Sequence, residues 1–363
     1  MKLNDISKIE LAIKPTPIQR LKSFSHEYGC SIFVKRDDLL GVSFGGNKVR
    51  KLEYILADAK KKGAKLIAAS GSLQTNHGLL TALCSARLGM KCLLFLLIEE
   101  KGTEKCLSGN LLLDDYAGGD TVFVDISDIM TDEALSVGEK DALSSEKLEM
   151  CMERALKEFQ EREGISAAET YAISSAGSVP LGILGYVDCM KEIAEQSDTA
   201  YDYLFCGNGS GGTYGGMVLG GRLYQPGARV IGVGIEEMNP EKPAFIVERV
   251  NQAAELIGTG ERISENDLTF LFNSVNRGYA VPDEETMRCI EDVARREGFF
   301  LDPVYSGKVM NGALKYIGDN LRDTGKNILI LHSGGGPGLY NRNMIDYRSR
   351  SSKVLDRWKH DTD

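Results

Sequence analysis

Short apolar runs recur along the chain, each closing on glycine or a polar loop and each followed by a stretch with helical spacing. "KLIAAS" (65–70) breaks at Gly71 and leads into "LLTALCSARLG"; "KCLLFLLI" (91–98) and "TVFVDIS" (121–127) come next. A charged, strongly helical stretch runs from Ser144 to Gln160, with Gly164 as its natural stop. The alternation then resumes through "TYAISS", "LGILGYVDCMKEIAEQ", "YDYLFCGNGSGGTYGG", "ARVIGVGIE" and "NILILHSGGGPG". Strands this apolar must be covered on both faces, so repeated β–α units predict mainly parallel sheet with helices on either side, an α/β fold.

The 363 residues suit two domains rather than one. Breaks near 50 and 164 predict a smaller inserted α/β lobe of residues 51–164 within a larger lobe made of 1–50 and 165–363. In two-lobed α/β proteins the ligand lies in the crevice at the carboxyl ends of the strands.

Charge and cysteine usage narrow the function. A net charge of -9 with no basic stripe argues against nucleic acid as a partner. The longest apolar run, Leu93 to Ile98, is too short to span a bilayer, and the first residues lack the apolar core of a secretory signal, so no membrane is expected. Eight cysteines are scattered without CxxC pairs, several inside apolar stretches such as those of Cys84 and Cys206. That is the usage of a reducing cytoplasm, with no metal site implied.

The loops carry the chemistry. "CGNGSGGTYGG" follows a strand and opens a helix, so Gly209, Ser210, Gly211, Gly212 and Thr213 form a loop whose N–H groups and helix dipole suit a phosphate. It is not a Walker loop, and as a dinucleotide fingerprint it is incomplete, with Glu236 and Glu237 only roughly in range. In "SGSLQTNHG", Thr75, Asn76 and His77 sit where a helix begins; they can receive a carboxylate or a ring hydroxyl, or Thr75 or Asn76 can be an ordinary cap. "LDPVYSGK" and "LHSGGGPG" place Tyr305, Ser306 and Ser333 at glycine turns, and Tyr279 lies in "GYAVPDEE", where Pro282 favours an extended approach to the next helix.

"FGGNKVRKLEY" sets Lys48 directly behind a Gly-Gly hinge. The ordinary reading is a helix start, with Asn47 as cap and Lys48, Arg50 and Lys51 wetting the outer face. A lysine becomes a Schiff-base former only when burial or neighbouring positive charge, here Arg50 and Lys51, lowers its pKa. One such lysine, one phosphate cup, several neutral hydroxyls and no Ser-His-Asp or metal-ligand set describe an enzyme that borrows reactivity from a phosphorylated aldehyde cofactor. Pyridoxal phosphate meets that description, with Lys48 as its partner.

Taken in order, "FGGNKVRKLEY", "QTNH", "GNGSGGT", "YAVP", "LDPVYSGK" and "LHSGGGPG" resemble the D-cysteine desulfhydrase and 1-aminocyclopropane-1-carboxylate (ACC) deaminase family, across nearly the whole chain. The resemblance implies a fold-type II pyridoxal phosphate enzyme of the tryptophan synthase β-subunit type, with two open twisted lobes, the cofactor between them, and a homodimer. It implies that Lys48 binds the cofactor and moves the Cα proton, that Asn76 touches the ring hydroxyl, and that Gly209 to Thr213 hold the phosphate. Thr75, Asn76 and His77 would bind the substrate carboxylate, Tyr279 and Tyr305 would orient the substrate or relay protons, and Ser333 would meet the pyridine nitrogen.

Two departures bear on the substrate, a small amino acid. ACC deaminases resemble one another in a glutamate after the tyrosine of "DPVY", near the pyridine nitrogen, where this chain has Ser306. A neutral hydroxyl makes a weaker electron sink, which favours β-elimination from D-cysteine over opening of a cyclopropane. Thr75 replaces the usual serine and crowds the carboxylate end. The rival readings are another lyase of the family, acting on L-cysteate, diaminopropionate or ACC, a dinucleotide-dependent oxidoreductase, and a non-catalytic binding protein.

Overall fold

The computed structural model describes residues 2–342 apart from 238, 276, 277 and 282. Pro282 and its expected effect on the approach to the next helix therefore lie outside the described residues. Ten strands follow in chain order: β1 Ile18–Arg20, β2 Ser31–Arg36, β3 Leu66–Ser72, β4 Lys91–Ile98, β5 Asp120–Asp125, β6 Thr170–Ile173, β7 Tyr203–Asn208, β8 Arg229–Gly234, β9 Phe270–Leu271 and β10 Asn327–His332. They form a six-stranded sheet in the order β1-β2-β10-β7-β8-β9 and a four-stranded sheet in the order β5-β4-β3-β6. Only the edge pair β1–β2 is antiparallel among the described ladders.

The period-2 alternation of side chains makes two cores from each strand of the large sheet. Leu204, Cys206, Leu329 and Leu331 face a core closed by the helices Pro180–Gln196, Gly212–Tyr224 and Lys242–Ile257. Phe205, Ile328 and Ile330 face the opposite core, closed by Lys22–Tyr28, Glu284–Glu297 and Ser306–Asn320. The small sheet repeats the scheme: Leu93 and Phe95 pack towards Phe159 of the long helix Val137–Glu163, while Cys92, Leu94 and Leu96 pack on the other side with Ala82 and Leu111. Each such Leu, Ile or Phe stabilises the fold by roughly 1.5–3 kcal/mol on full burial.

The charged helix expected from Ser144 begins earlier, at Val137, because Ser136 and Glu139 form a reciprocal capping box, and it does end at Gly164 with φ +65°. The small sheet also reaches past residue 164: β6 pairs with β3 in the register Leu66↔Thr170 to Ala69↔Ile173. Residue 50, where the other break was expected, falls inside the continuous helix Asn47–Lys61.

Candidate active site

A cavity of about 320 Å³ opens where the strands of both sheets end. Its wall takes residues from just beyond the carboxyl ends of β3, β4, β7, β8 and β10. Lys48, Thr75, Asn76, His77, Gly209, Ser210, Gly211, Thr213, Tyr279, Tyr305 and Ser333 all line it. Segments as far apart in sequence as Asn47 and Gly334 thus converge on one chamber, the geometry expected of a ligand site at strand ends.

Lys48 stands on the first turn of the helix Asn47–Lys61. The helix is capped not by Asn47 but by Gly46, at φ +120° and ψ 160°, a conformation that only glycine adopts readily. Asn47 instead donates its backbone N–H to the Ser333 carbonyl (2.9 Å) and its Nδ2 to Thr213 Oγ1 (2.9 Å), which ties the helix start to β10 and to the glycine loop. Part-buried on the cavity wall, the Lys48 amine has a single hydrogen bond among the described residues, to the Ala176 carbonyl at 3.5 Å, and desolvation pushes its pKa down to about 8.

Neither Arg50 nor Lys51 wets the outside of the helix, and neither is a cause of the low Lys48 pKa. Arg50 is 1% exposed and its guanidinium is held by Asp37 (2.8 Å) and Glu192 (2.9 Å). Lys51, also 1% exposed, donates to Ser178 Oγ at 3.1 Å, and burial followed by the charge of Lys48 depresses its own pKa strongly.

Ser178 backs the glycine loop. Its hydroxyl accepts from the Gly212 N–H (3.1 Å) and lies 2.8 Å from Ser210 Oγ. Gly212 is the one residue of the loop Gly209 to Thr213 that does not line the cavity. The N–H groups of Ser210, Gly211 and Thr213 have no partner among the described residues and lie at the start of the helix Gly212–Tyr224. Unpaired donors at a helix start make an anion seat.

Thr75 caps the helix Asn76–Arg87, its hydroxyl accepting from Gly78 N–H at 3.2 Å. Asn76 is braced by Asn110, whose Nδ2 donates to Asn76 Oδ1 (2.8 Å) and to the Gln74 carbonyl (2.7 Å), so Asn76 keeps its Nδ2 for the cavity. His77 is 2% exposed; its Nδ1 lies 3.4 Å from Thr81 Oγ1 and its Nε2 has no partner among the described residues. Burial first, then Lys48 and Lys51, hold its pKa well below the ordinary histidine value, which keeps the ring neutral.

Tyr279 and Tyr305 meet through their hydroxyls. Ser333 contributes its carbonyl to Asn47, and its hydroxyl makes no hydrogen bond among the described residues. Ser306, by contrast, is only 2% exposed and does not line the cavity: its hydroxyl donates to Asp302 Oδ1 at 2.6 Å, and Asp302 also accepts the N–H groups of Val304, Tyr305 and Ser306. The expectation that Ser306 borders the cofactor ring is corrected accordingly, because the start of the helix Ser306–Asn320 claims its hydroxyl.

Sequence reasoning passed over Glu99, directly after β4, and Lys242, at the start of its helix. Glu236, placed only roughly in range of a dinucleotide fingerprint, pairs with Lys242 at 2.7 Å in the same cavity. The available signal was position: each lies just past a strand or opens a helix, where ligand-facing groups collect.

The family described as pyridoxal-phosphate dependent enzyme matches residues 9–334. A Thermotoga maritima protein provisionally named 1-aminocyclopropane-1-carboxylate deaminase is 36% identical over 335 residues, covering 92% of this chain and 97% of its own length. The D-cysteine desulfhydrase of Yersinia pestis (strain Pestoides F) is 33% identical over 344 residues, covering 93% and 97%. A solved structure of an ACC deaminase homologue superposes with a TM-score of 0.78 at 32% identity, covering 94% of this chain and 95% of that one. With both the family match and these relatives extending over nearly its full length, the chain belongs to the pyridoxal-phosphate dependent enzymes, in the group that holds the ACC deaminases and D-cysteine desulfhydrases.

Proposed function

We propose that this chain is a lyase that eliminates the β-substituent of a small amino acid, with D-cysteine as the favoured substrate and pyruvate, hydrogen sulfide and ammonia as products. The observation that carries the reading is Lys48: a part-buried amine with pKa near 8, lining the same cavity as three residues at a helix start whose N–H groups have no partner among the described residues. Those donors fit the phosphate of pyridoxal phosphate, the amine fits its aldehyde, Asn76 Nδ2 fits its ring hydroxyl, and the Ser333 hydroxyl fits its ring nitrogen. When bound, the cofactor supplies an aldehyde and an electron-withdrawing ring that stabilises negative charge at the substrate Cα.

The rest falls to the protein. The start of the helix Asn76–Arg87, with Thr75, Asn76 and His77, holds the substrate carboxylate. Lys48 Nζ, uncharged in a substantial fraction near pH 8, removes the Cα proton. Tyr279 and Tyr305 hold a proton between their oxygens and pass it towards the reacting side chain. The Cβ–S bond breaks with its electron pair going to sulfur, and one water consumed in hydrolysis balances the release of pyruvate, hydrogen sulfide and ammonia.

Preference for D-cysteine over ACC rests on Ser333, now that Ser306 is engaged by Asp302. A neutral hydroxyl at the β10 end of the cavity supports a modest electron sink, sufficient for loss of a good leaving group and weak for opening a ring that has no Cα proton. We also propose a homodimer, testable by sedimentation. A cytoplasmic location fits the eight free cysteines, and no helix among the described residues is long and apolar enough to cross a membrane.

The test is product release by the protein loaded with pyridoxal phosphate. Pyruvate from D-cysteine without 2-oxobutyrate from ACC supports the reading; 2-oxobutyrate from ACC with no pyruvate from D-cysteine overturns it.

A further inference from the structure

The cavity carries more acid than its cofactor chemistry uses. Glu99 and Glu236 both line it, one just beyond β4 and the other just beyond β8, with Lys242 beside them. Lys242 Nζ donates to Glu236 Oε1 at 2.7 Å and so matches one of the two carboxylates. Glu99 has neither an ion pair nor a hydrogen bond among the described residues. The buried His77 Nε2, in a residue that lines the same chamber, also lacks a partner among the described residues. With Glu236 matched by Lys242, and the buried Lys308 ammonium turned to backbone carbonyls behind it, Glu99 is left in this part of the chamber without a paired cation among the described residues.

Both acids lie close enough to the tyrosine pair to raise the pKa of Tyr279, after burial as the main cause, and Glu236 does the same to Tyr305. Burial and then Glu236 raise the pKa of Glu99 itself, as expected of a carboxylate that would be relieved by a nearby cation. The α-carboxylate of an amino acid is drawn instead to the helix start at Asn76. That leaves the acidic rim to meet the side chain.

We propose that Glu99, together with the Glu236–Lys242 pair, sorts substrates by the charge on their β-substituent, admitting neutral or cationic substituents and turning away anionic ones. The inference rests on the elimination reading above and deepens it: a thiol or an amino group is accepted, and a sulfonate is repelled by the unpaired carboxylate. Glu99 is then the specificity-determining residue, and its charge rather than its size does the sorting.

The experiment compares kcat and KM for pyruvate release from cysteine, 2,3-diaminopropionate and cysteate, each as both enantiomers, in the cofactor-loaded wild type, Glu99→Gln and Glu236→Gln. Retained visible absorbance of the cofactor certifies that each variant is folded. The wild type should prefer cysteine and diaminopropionate to cysteate, and Glu99→Gln should raise the cysteate-to-diaminopropionate ratio of kcat/KM by ~10-fold, chiefly through KM. Wild-type turnover of cysteate equal to the others, or a ratio unmoved by Glu99→Gln, overturns the proposal. If no compound yields pyruvate, the elimination reading fails, and competition of diaminopropionate against cysteate in perturbing the cofactor spectrum then decides the rim: tighter diaminopropionate, weakened in Glu99→Gln, upholds it, and equal binding overturns it.

Discussion

The hydroxyl oxygens of Tyr279 and Tyr305 stand 2.6 Å apart, with their rings at 69° to each other. Burial raises the pKa of both, and either hydroxyl can donate in the bond between them. Both stay protonated at neutral pH and act as one unit. Replacing either by phenylalanine should lower kcat by ~10²–10⁴-fold, the usual contribution of a positioned proton donor. The double variant should lose little beyond the worse single variant, since the first substitution already breaks the relay. Steady-state kinetics of the three variants checks this; losses that multiply would show that the tyrosines act separately.

Lys48 makes stability depend on pH with a definite sign. Its pKa falls from 10.5 to about 8 on folding, because the charged form loses hydration. Below pH 8 both states are protonated and the folded state bears the full desolvation cost. As pH rises from 8 to 10.5 the unfolded state binds more protons, so the cost is relieved and stability increases. In the cofactor-free protein, Lys48→Met should stabilise at pH 7 by up to roughly 3 kcal/mol, at 1.36 kcal/mol per pKa unit, and the gain should shrink towards pH 10.5. Urea unfolding at several pH values measures it, and a gain that grows with pH would be the wrong sign.

The two glycine-rich motifs meet back to back. A Cβ on Gly334, which has φ +85°, would fall 2.5 Å from Gly46 Cα, so Gly334 has no room for a side chain there. Gly334→Ala should cost at least roughly 1–3 kcal/mol in backbone strain alone. Because the displaced segment carries Ser333, whose carbonyl holds Asn47 N–H, cofactor retention should fall as well. Thermal unfolding together with visible absorbance reads both effects. Loss of stability with full retention would show that the contact shapes the fold and not the site.

Much of this was legible in local sequence. The run Lys91 to Ile98 is a strand to the residue, and the glycine loop after β7 does open a helix, since periodicity and turn chemistry are local signals. What escaped was whatever depends on partners distant in the chain. Nothing near Gly212 announces that Ser178 will occupy its N–H. Asp302, by contrast, lies only four residues before Ser306 and accepts four hydrogen bonds at the helix start, a local signal that the reading of Ser306 as a ring neighbour passed over. Arg50 and Lys51 look like surface charges until Asp37, Glu192 and Ser178 are brought against them. Glu99 was missed for the same reason: a carboxylate after a strand becomes informative only when a second strand end, bearing Glu236, faces the same chamber.

Lys308, with no exposed surface, sends its ammonium to the carbonyls of Ile235 (3.1 Å), Val275 (3.4 Å) and Gly278 (2.5 Å). Ile235 precedes Glu236 and Gly278 precedes Tyr279, so one buried cation gathers the two segments that deliver an acid and a phenol to the cavity. Lys308→Met keeps the apolar stem but leaves these carbonyls without their donor, at a cost of about 1–3 kcal/mol for each acceptor left buried and unpaired. Activity should fall further than stability alone explains, because Tyr279 loses its anchor. Rings of carbonyl dipoles also hold small monovalent cations, so added ammonium or potassium should restore part of kcat in Lys308→Met and leave the wild type unchanged. Kinetics across a series of chloride salts decides it: rescue that is equal with lithium, or absent with all of them, would mean that Lys308 contributes packing and not a fixed charge.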